Sequence, residues 1–213
     1  MKEYVLKVSR SGPSRWSKYQ IKAEETTTIV ELLEEVESTV DPTLTYRHSC
    51  HHGSCGTCAC IINGKEALAC RTTVGALGTE EITVEPLRSF PREGDLVAHL
   101  GSMIRSMPAA GSYVREDECN RREGAVFQRF EDCIECGCCM SACPVGGDFI
   151  GPAPLAMMNR ELQKGSEMQE DIRSKALSRS GAPSCRDHFA CSRACPSYVY
   201  PGRHIQELKK LER

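Results

Sequence analysis

Cysteines constrain this chain more than any other residue type, because there are fourteen of them in 213 residues. The chain starts MKEYVLKVSR, which lacks the apolar segment of a secretory signal, so we expect a reducing, cytosolic environment. In that environment closely spaced cysteines bind metal or carry out redox chemistry more often than they form disulfides. The spacing of the cysteines is therefore the first guide to both fold and function.

The first group of cysteines lies in the stretch RHSCHHGSCGTCACIINGKEALAC. Three are spaced C-x4-C-x2-C and a fourth follows after eleven residues, which is the pattern of plant-type [2Fe–2S] ferredoxins. Gly53 and Gly56 allow a tight loop to wrap three thiolates around a cluster, and a hairpin that turns at Asn63-Gly64 returns the fourth. The predicted [2Fe–2S] ligands are Cys50, Cys55, Cys58 and Cys70.

Two other metal centres fit this spacing less well. Structural zinc sites prefer paired C-x2-C units set well apart, and a Rieske centre needs a second histidine where this chain has Cys58. We therefore interpret His51 and His52 as solvated loop residues. Cys60, two residues past a predicted ligand, is interpreted as a small buried apolar residue.

The second group begins with the run CIECGCCMSACP, residues 133–144. It contains the spacing C-x2-C-x2-C-x3-C-P of two-cluster ferredoxins, in which the fourth cysteine of a run binds the other cluster. The later stretch SCRDHFACSRACP supplies the reciprocal cysteines. We predict a [4Fe–4S] cluster held by Cys133, Cys136, Cys139 and Cys195, and a further site held by Cys143, Cys185 and Cys191.

The second run differs from the first at one ligand position, because His188 stands where a full run would have a cysteine. Three thiolates suit a [3Fe–4S] cluster, which we predict at this site. His188 could instead bind a fourth iron, since imidazole suits iron. Cys138 lies inside the first run but out of its register and is predicted to point into packing, and isolated Cys119 is predicted to be structural.

The remaining sequence predicts an α+β chain: an N-terminal β-grasp plant-type ferredoxin domain, residues 1–94, followed by an all-α two-cluster ferredoxin domain, residues 95–213. Turn residues and alternating apolar residues predict strands at 3–9, 18–23 and 81–87, with the hairpin before the last of them. A capping box at Thr28–Glu31 predicts the start of a helix. Further helices are predicted at 95–107, 129–142, 154–163, 167–178, 185–194 and 203–212.

Charge and hydropathy argue against several classes of function. A formal net charge of -2 and a pI of about 6.3 give no basic excess for binding nucleic acid. No apolar run reaches about 18 residues, so no segment is predicted to span a membrane by itself. No G-x-G-x-x-G motif opens a helix, so neither a flavin site nor a catalytic residue is predicted.

These motifs, in this order, resemble those of the iron–sulfur subunit of the succinate dehydrogenase/fumarate reductase family. The resemblance covers nearly the whole chain, and includes VEPLRSFPREGDLV and FIGPAPL as well as the cysteine regions. It implies three clusters, [2Fe–2S], [4Fe–4S] and [3Fe–4S], that carry single electrons. The partner at one end would be an FAD-containing flavoprotein, which oxidises succinate or reduces fumarate. The acceptor or donor at the other end would be quinone at membrane anchor subunits. It also implies a non-catalytic subunit of a succinate:quinone oxidoreductase-type enzyme of the respiratory chain and tricarboxylic acid cycle, peripheral on the cytoplasmic face of the membrane.

Three features depart from the pattern of many relatives, all near the place where such subunits meet quinone. Only residues 145–148 separate the first Cys-Pro from Phe149, and tryptophans common there are missing, since the only one is Trp16. Ser197 stands where many relatives have Lys, and Arg186 stands where some relatives have His. An alternative function is therefore a soluble electron-transfer module for another dehydrogenase or a non-quinone acceptor, and a third is a redox-inactive zinc scaffold.

Overall fold

The computed structural model describes residues 1–12, 14–108, 132–164 and 169–211. The chain divides into two compact units. The sheet unit comprises residues 1–102 and 134–142, and the helical unit comprises residues 103–133 and 143–213. The domain boundary near residue 94 stays a prediction, and the predicted structural role of Cys119 lies outside the described residues.

The sheet unit is built on a five-stranded mixed sheet with the strand order β2-β1-β5-β3-β4. Strand β1 runs parallel to β5, and the other neighbours are antiparallel. This sheet, with helix α1 packed on it, confirms the predicted β-grasp fold. The elements are β1 (Lys2–Ser9), β2 (Trp16–Ala23), α1 (Ile29–Thr39), β3 (Ala59–Ile62), β4 (Lys65–Leu68), α2 (Val74–Leu77) and β5 (Glu81–Glu85).

Helix α1 begins at the predicted capping box. The Thr28 N–H donates to the Glu31 carboxylate at 2.7 Å, and the Glu31 N–H donates to the Thr28 hydroxyl at 3.4 Å. Burying an aliphatic side chain stabilises a fold by roughly 1.5–3 kcal/mol, so the apolar face of α1 is a main source of stability here. Its buried residues are Ile29, Val30, Leu32, Leu33 and Val36.

Asp95 connects the loop of residues 41–58, called the cysteine loop below, to the end of β1. Its carboxylate accepts hydrogen bonds from the Ser11 N–H at 2.8 Å and the Thr45 N–H at 2.9 Å, and it lies 3.2 Å from Nε of Arg10. Residues 95–100 form a loop rather than a helix, and the helix begins only at Gly101. The helix predicted at 95–107 is therefore shorter than expected, and α3 covers Gly101–Ser106.

In the helical unit, α5 (Pro152–Lys164) packs against α6 (Gln169–Ala176) and α8 (Pro201–Lys210). These helices correspond to the predicted segments 154–163, 167–178 and 203–212. Their shared core includes Leu155, Met158, Ile172, Ile205 and Leu208. Among the described residues, no helix has both the length and the apolar character needed to cross a membrane.

Two predicted helices are largely wrong. Within 129–142 only α4 (Cys138–Ser141) is α-helical among the described residues, and within 185–194 only α7 (Ala190–Arg193) is. Each of these short helices is preceded by residues with positive φ, including Glu135 and Phe189. The residues of a right-handed α-helix have negative φ, so neither helix can extend back through these positions. Cysteine-rich loops, rather than longer helices, occupy both segments.

Candidate metal centres

The sheet unit brings together the four cysteines of the first group. Cys50, Cys55 and Cys58 lie on the loop before β3, and Cys70 lies on a 3-10 turn (Ala69–Arg71) after β4. The thiol of Cys70 interacts with those of Cys58 and Cys50, and the thiol of Cys50 interacts with that of Cys55. The hairpin turning at Asn63-Gly64 therefore returns the fourth cysteine as the sequence predicted.

Backbone amides surround the sulfur of Cys50. The N–H of His52 is the main cause of a pKa for Cys50 lowered to about 6. The N–H groups of Ser54 and Cys55 also donate to this sulfur, at 3.2 and 3.4 Å. A thiolate rather than a thiol is the metal ligand, and amides directed at cluster sulfurs tune the reduction potential.

Cys70 lies in the opposite environment. Burial, followed by its contact with the Cys58 thiol, raises the pKa of Cys70 to about 12, although the Gly53 N–H lowers it. Buried neighbouring thiols lose their protons readily when a cation takes the protons' place. The donor set of four converging sulfurs, two of them buried, fits an iron–sulfur cluster.

Gly56 shows how closely this loop packs inside the sheet unit. Its φ is 72°, and a Cβ at this position would lie 2.7 Å from the carbonyl oxygen of Ile134 and 2.8 Å from the Cβ of Cys136. Only glycine fits both the backbone conformation and the space. The loop of the first cysteine group therefore lies directly against the segment that carries Cys136.

The sheet unit contains Cys136 and Cys139 of the second predicted centre, and both are almost fully buried. Cys138 is completely buried, and its thiol donates to the sulfur of Cys136, which lowers the pKa of Cys136 and raises that of Cys138. The predicted packing role of Cys138 is confirmed, as is the burial of Cys60.

The helical unit contains Cys133 and Cys195, the other predicted ligands of the second centre. Cys195 is half-buried, and its sulfur accepts a hydrogen bond from the N–H of Val199 at 3.3 Å. The assignment of these cysteines to one [4Fe–4S] cluster rests on the spacing of the sequence and stays a prediction.

A pocket in the helical unit is lined by Cys143, Cys185 and Cys191 together with His188. Burial raises the pKa of all three thiols, and that of Cys191 reaches about 11. The N–H of Val145 is directed at Cys143 and that of Asp187 at Cys185. The three cysteines that the sequence grouped by reciprocity thus share one pocket, and this donor set fits a cluster.

Helix α8 holds the start of the second run in place. The ammonium group of Lys209 donates to the carbonyl oxygen of Cys185 at 2.7 Å and to the carboxylate of Asp187 at 2.8 Å. The hydrogen bond from Lys209 lowers the pKa of Asp187. Sequence reasoning missed Lys209 because a lysine near a helix C-terminus is normally interpreted as a favourable partner of the helix dipole.

His188 is exposed at the edge of this pocket. It occupies the place in the second run that Cys136 occupies in the first. Its two predicted roles, a bystander and a ligand of a fourth iron, stay predictions.

Comparisons with known proteins agree with these centres. Residues 4–105 match the family of 2Fe-2S iron-sulfur cluster binding domains, and residues 129–199 match the 4Fe-4S dicluster domain. The chain is 31% identical over 227 residues to the fumarate reductase iron-sulfur subunit of Escherichia coli O6:H1, covering 98% of this chain and 93% of that protein. It is 32% identical over 228 residues to the subunit of the same name from Mycobacterium tuberculosis, covering 98% and 92%.

A solved structure shares the fold. It is a chain of the Mycobacterium smegmatis Sdh1 complex in the apo form, with a TM-score of 0.80 and 22% identity, covering 98% of this chain and 95% of that chain. The likeness confirms the combination of a β-grasp unit with a helical unit. The chain thus belongs to the succinate dehydrogenase/fumarate reductase family of iron–sulfur subunits. Its cofactors include a [2Fe–2S] and a [4Fe–4S] cluster, and a [3Fe–4S] cluster is typical of the family.

Proposed function

We propose that this chain is the electron-transfer subunit of a succinate dehydrogenase or fumarate reductase complex, and that it connects an FAD-containing flavoprotein with membrane quinone. In this proposal the chain is peripheral, on the cytoplasmic face of the membrane, and is held there by anchor subunits. Bound clusters would supply one-electron chemistry, whereas the flavin of the partner would handle electron pairs and hydrides. The chain itself contributes no catalytic residue.

The proposed ligand sets follow the sequence. Cys50, Cys55, Cys58 and Cys70 would hold the [2Fe–2S] cluster, and Cys133, Cys136, Cys139 and Cys195 would hold the [4Fe–4S] cluster. Cys143, Cys185 and Cys191 would hold the [3Fe–4S] cluster. The convergence of the first set within the sheet unit and of the third set in one pocket supports two of these assignments.

One contact supports the relay role most directly. Gly56 of the first cysteine loop lies against Cys136, a proposed ligand of the next cluster, with no room between them for a side chain. Electron transfer between centres requires short distances, and the backbone of the sheet unit keeps these two ligand loops together. A scaffold that only stored metal would not need ligand loops in direct contact.

The test is electron transfer in the purified complex. We expect the wild-type complex to reduce both an artificial dye and quinone with succinate as donor. The Cys191→Ser variant should keep most of the dye-linked rate but lose at least tenfold in the quinone-linked rate, because the proposed exit site has lost a ligand. Cys138→Ala is the matched control and should keep both rates. An unchanged quinone rate in Cys191→Ser would contradict the proposal.

A second function, a soluble module with a non-quinone acceptor, is favoured by the short segment at residues 145–148 and by Ser197 and Arg186. The same assay separates the two functions. The module would show dye-linked activity in the wild-type complex and no quinone-linked activity with any quinone tested.

A further inference from the structure

Three side chains of types that bind metal lie close together in the sheet unit, and none of them is a cysteine. Nδ1 of His48 lies 3.0 Å from Nε2 of His51, and the same carboxylate oxygen of Glu34 lies 3.1 Å from the first and 3.3 Å from the second. Glu34 belongs to helix α1, whereas the two histidines belong to the cysteine loop. The three donor atoms therefore form a small triangle that joins two segments.

Protons on the two ring nitrogens cannot satisfy all three sides of this triangle beside an ionised Glu34. If both ring nitrogens carry a proton, both can donate to Glu34, but then two N–H groups face each other across 3.0 Å. If only one ring nitrogen is protonated, the other ring nitrogen and the Glu34 oxygen face each other with no proton between them. A cation among the three atoms would satisfy every contact at once.

The distances fit a metal ion. An ion about 2.1 Å from each donor would make angles of roughly 90 to 105° between them, which lie between octahedral and tetrahedral values. Two imidazole nitrogens and one carboxylate oxygen suit zinc and similar first-row divalent ions. We propose that Glu34, His48 and His51 form a binding site for a divalent transition-metal ion, of which Zn²⁺ is the probe of choice.

The site is both accessible and held in position. The side chains of Glu34, His48 and His51 are 34%, 38% and 42% exposed, so a hydrated ion can reach them and keep water in its remaining position. The ring of Tyr46 stacks on that of His48, with 5.2 Å between the ring centres. The hydroxyl of Tyr46 donates to the carboxylate of Glu37, which lies on helix α1 like Glu34, at 2.8 Å. Neighbouring groups that fix the orientation of a ligand raise its affinity for metal.

A bound ion would fasten the cysteine loop to helix α1 next to Cys50. His51 has a φ of 59°, an unusual conformation for histidine, and this turn directs its ring back toward His48 and Glu34. His52, the next residue, does not take part, because its Nδ1 contacts the carbonyl oxygen of Cys50. The inference goes beyond the proposed function and does not depend on it.

The experiment is an anaerobic zinc titration of the protein with its clusters in place. We expect one equivalent of Zn²⁺ to bind the wild-type protein at this site, and Glu34→Gln and His51→Ala each to weaken this binding at least tenfold. His99→Ala is the matched control, because His99 pairs with the single carboxylate of Glu93 at 2.6 Å and should leave the affinity unchanged. Iron counts before and after the titration check that the clusters remain.

Zinc X-ray absorption identifies the ligands. A first shell of nitrogen and oxygen alone supports the proposal, whereas sulfur ligands would mean that zinc has entered a cysteine site and would overturn it. Equal affinity in the wild-type protein and Glu34→Gln would also overturn it. If His51→Ala loses iron, Glu34→Gln still decides, because Glu34 lies outside the cysteine loop.

Discussion

The two runs at residues 133–144 and 185–196 have the same local backbone and different side chains. In each run, the residues two and four positions after the first cysteine have positive φ. They are Glu135 at 53° and Gly137 at 81° in the first run, and Asp187 at 56° and Phe189 at 55° in the second.

The hydrogen bonds that follow also correspond. In the first run, the N–H groups of Met140 and Ser141 both donate to Gly137 O at 3.0 Å. In the second, the N–H groups of Ser192 and Arg193 both donate to Phe189 O at 3.1 Å. One turn of helix therefore places the third cysteine of each run in the same way.

Among the four predicted ligand positions of the run, the side chain differs at one, which is Cys136 in the first run and His188 in the second. In the proposed ligand sets, the number of thiolates in each centre is therefore set by the identity of single residues rather than by a different fold of the loop. Substitutions at corresponding positions should therefore change iron content without changing the fold.

The largest expected effect is the loss of a whole cluster. Cys136→Ala should remove about four irons per chain, because the [4Fe–4S] cluster loses a ligand. Cys138→Ala is the matched control and should keep the irons, since the second run has Ala190 at the corresponding position. Iron and sulfide analysis checks both, and iron loss in Cys138→Ala would contradict the assignment of this run.

The second effect is a conversion between centres. His188→Cys restores the missing cysteine of the second run and should add about one iron per chain, because a fourth thiolate can hold a fourth iron. His188→Ala should leave the iron content unchanged. Loss of iron in His188→Ala would instead identify His188 as a ligand.

A smaller effect, on stability, is expected at Gly137, one of the positions with positive φ in both runs. Gly137→Ala should lower the free energy of unfolding by about 2 kcal/mol, because alanine resists this conformation and its Cβ would lie 3.0 Å from Leu100 Cδ2. A thermal midpoint lower by roughly 4–8 °C would show this. Gly146→Ala, where a Cβ meets nothing within 4 Å, is the control and should shift the midpoint much less.

The smallest effect concerns Lys209. Lys209→Met should lower stability by less than about 1 kcal/mol, because the ion pair with Asp187 is partly exposed. The folded-state pKa of Asp187 is lowered, so the pair stabilises the fold above the ordinary carboxyl pKa of about 4 and loses this contribution as pH falls below it. The difference in thermal midpoint from wild type should therefore stay nearly constant between about pH 6 and pH 4 and shrink as the pH falls below about 4. Lys210→Met, which removes only a pair with Glu207, is the control.

The sequence predicted the β-grasp unit well, because its signals are local. The Thr28–Glu31 capping box, the Asn63-Gly64 turn and the apolar face of α1 each determine structure within a few residues. The sequence also grouped Cys143, Cys185 and Cys191 by their spacing, and these three cysteines line one pocket.

Other features depend on contacts far apart in the chain. The helix predicted from residue 95 fails because Asp95 bonds to Ser11 and Thr45, and the helices predicted at 129–142 and 185–194 fail because the cysteine loops need positive φ. The triangle of Glu34, His48 and His51 could not be found either. The H-x2-H spacing of His48 and His51 is the one local signal of this site, and nothing in the sequence places Glu34 near them.

Low-temperature electron paramagnetic resonance of the anaerobically prepared protein, combined with an iron count, tests the central claim most directly. The claim is that Cys143, Cys185 and Cys191 hold a cluster with three thiolates while His188 stays a bystander. It predicts a [3Fe–4S] signal in the oxidised protein and about nine irons per chain. About ten irons with no oxidised-state signal would contradict it, because a fourth ligand would then hold a fourth iron in the site of these three cysteines.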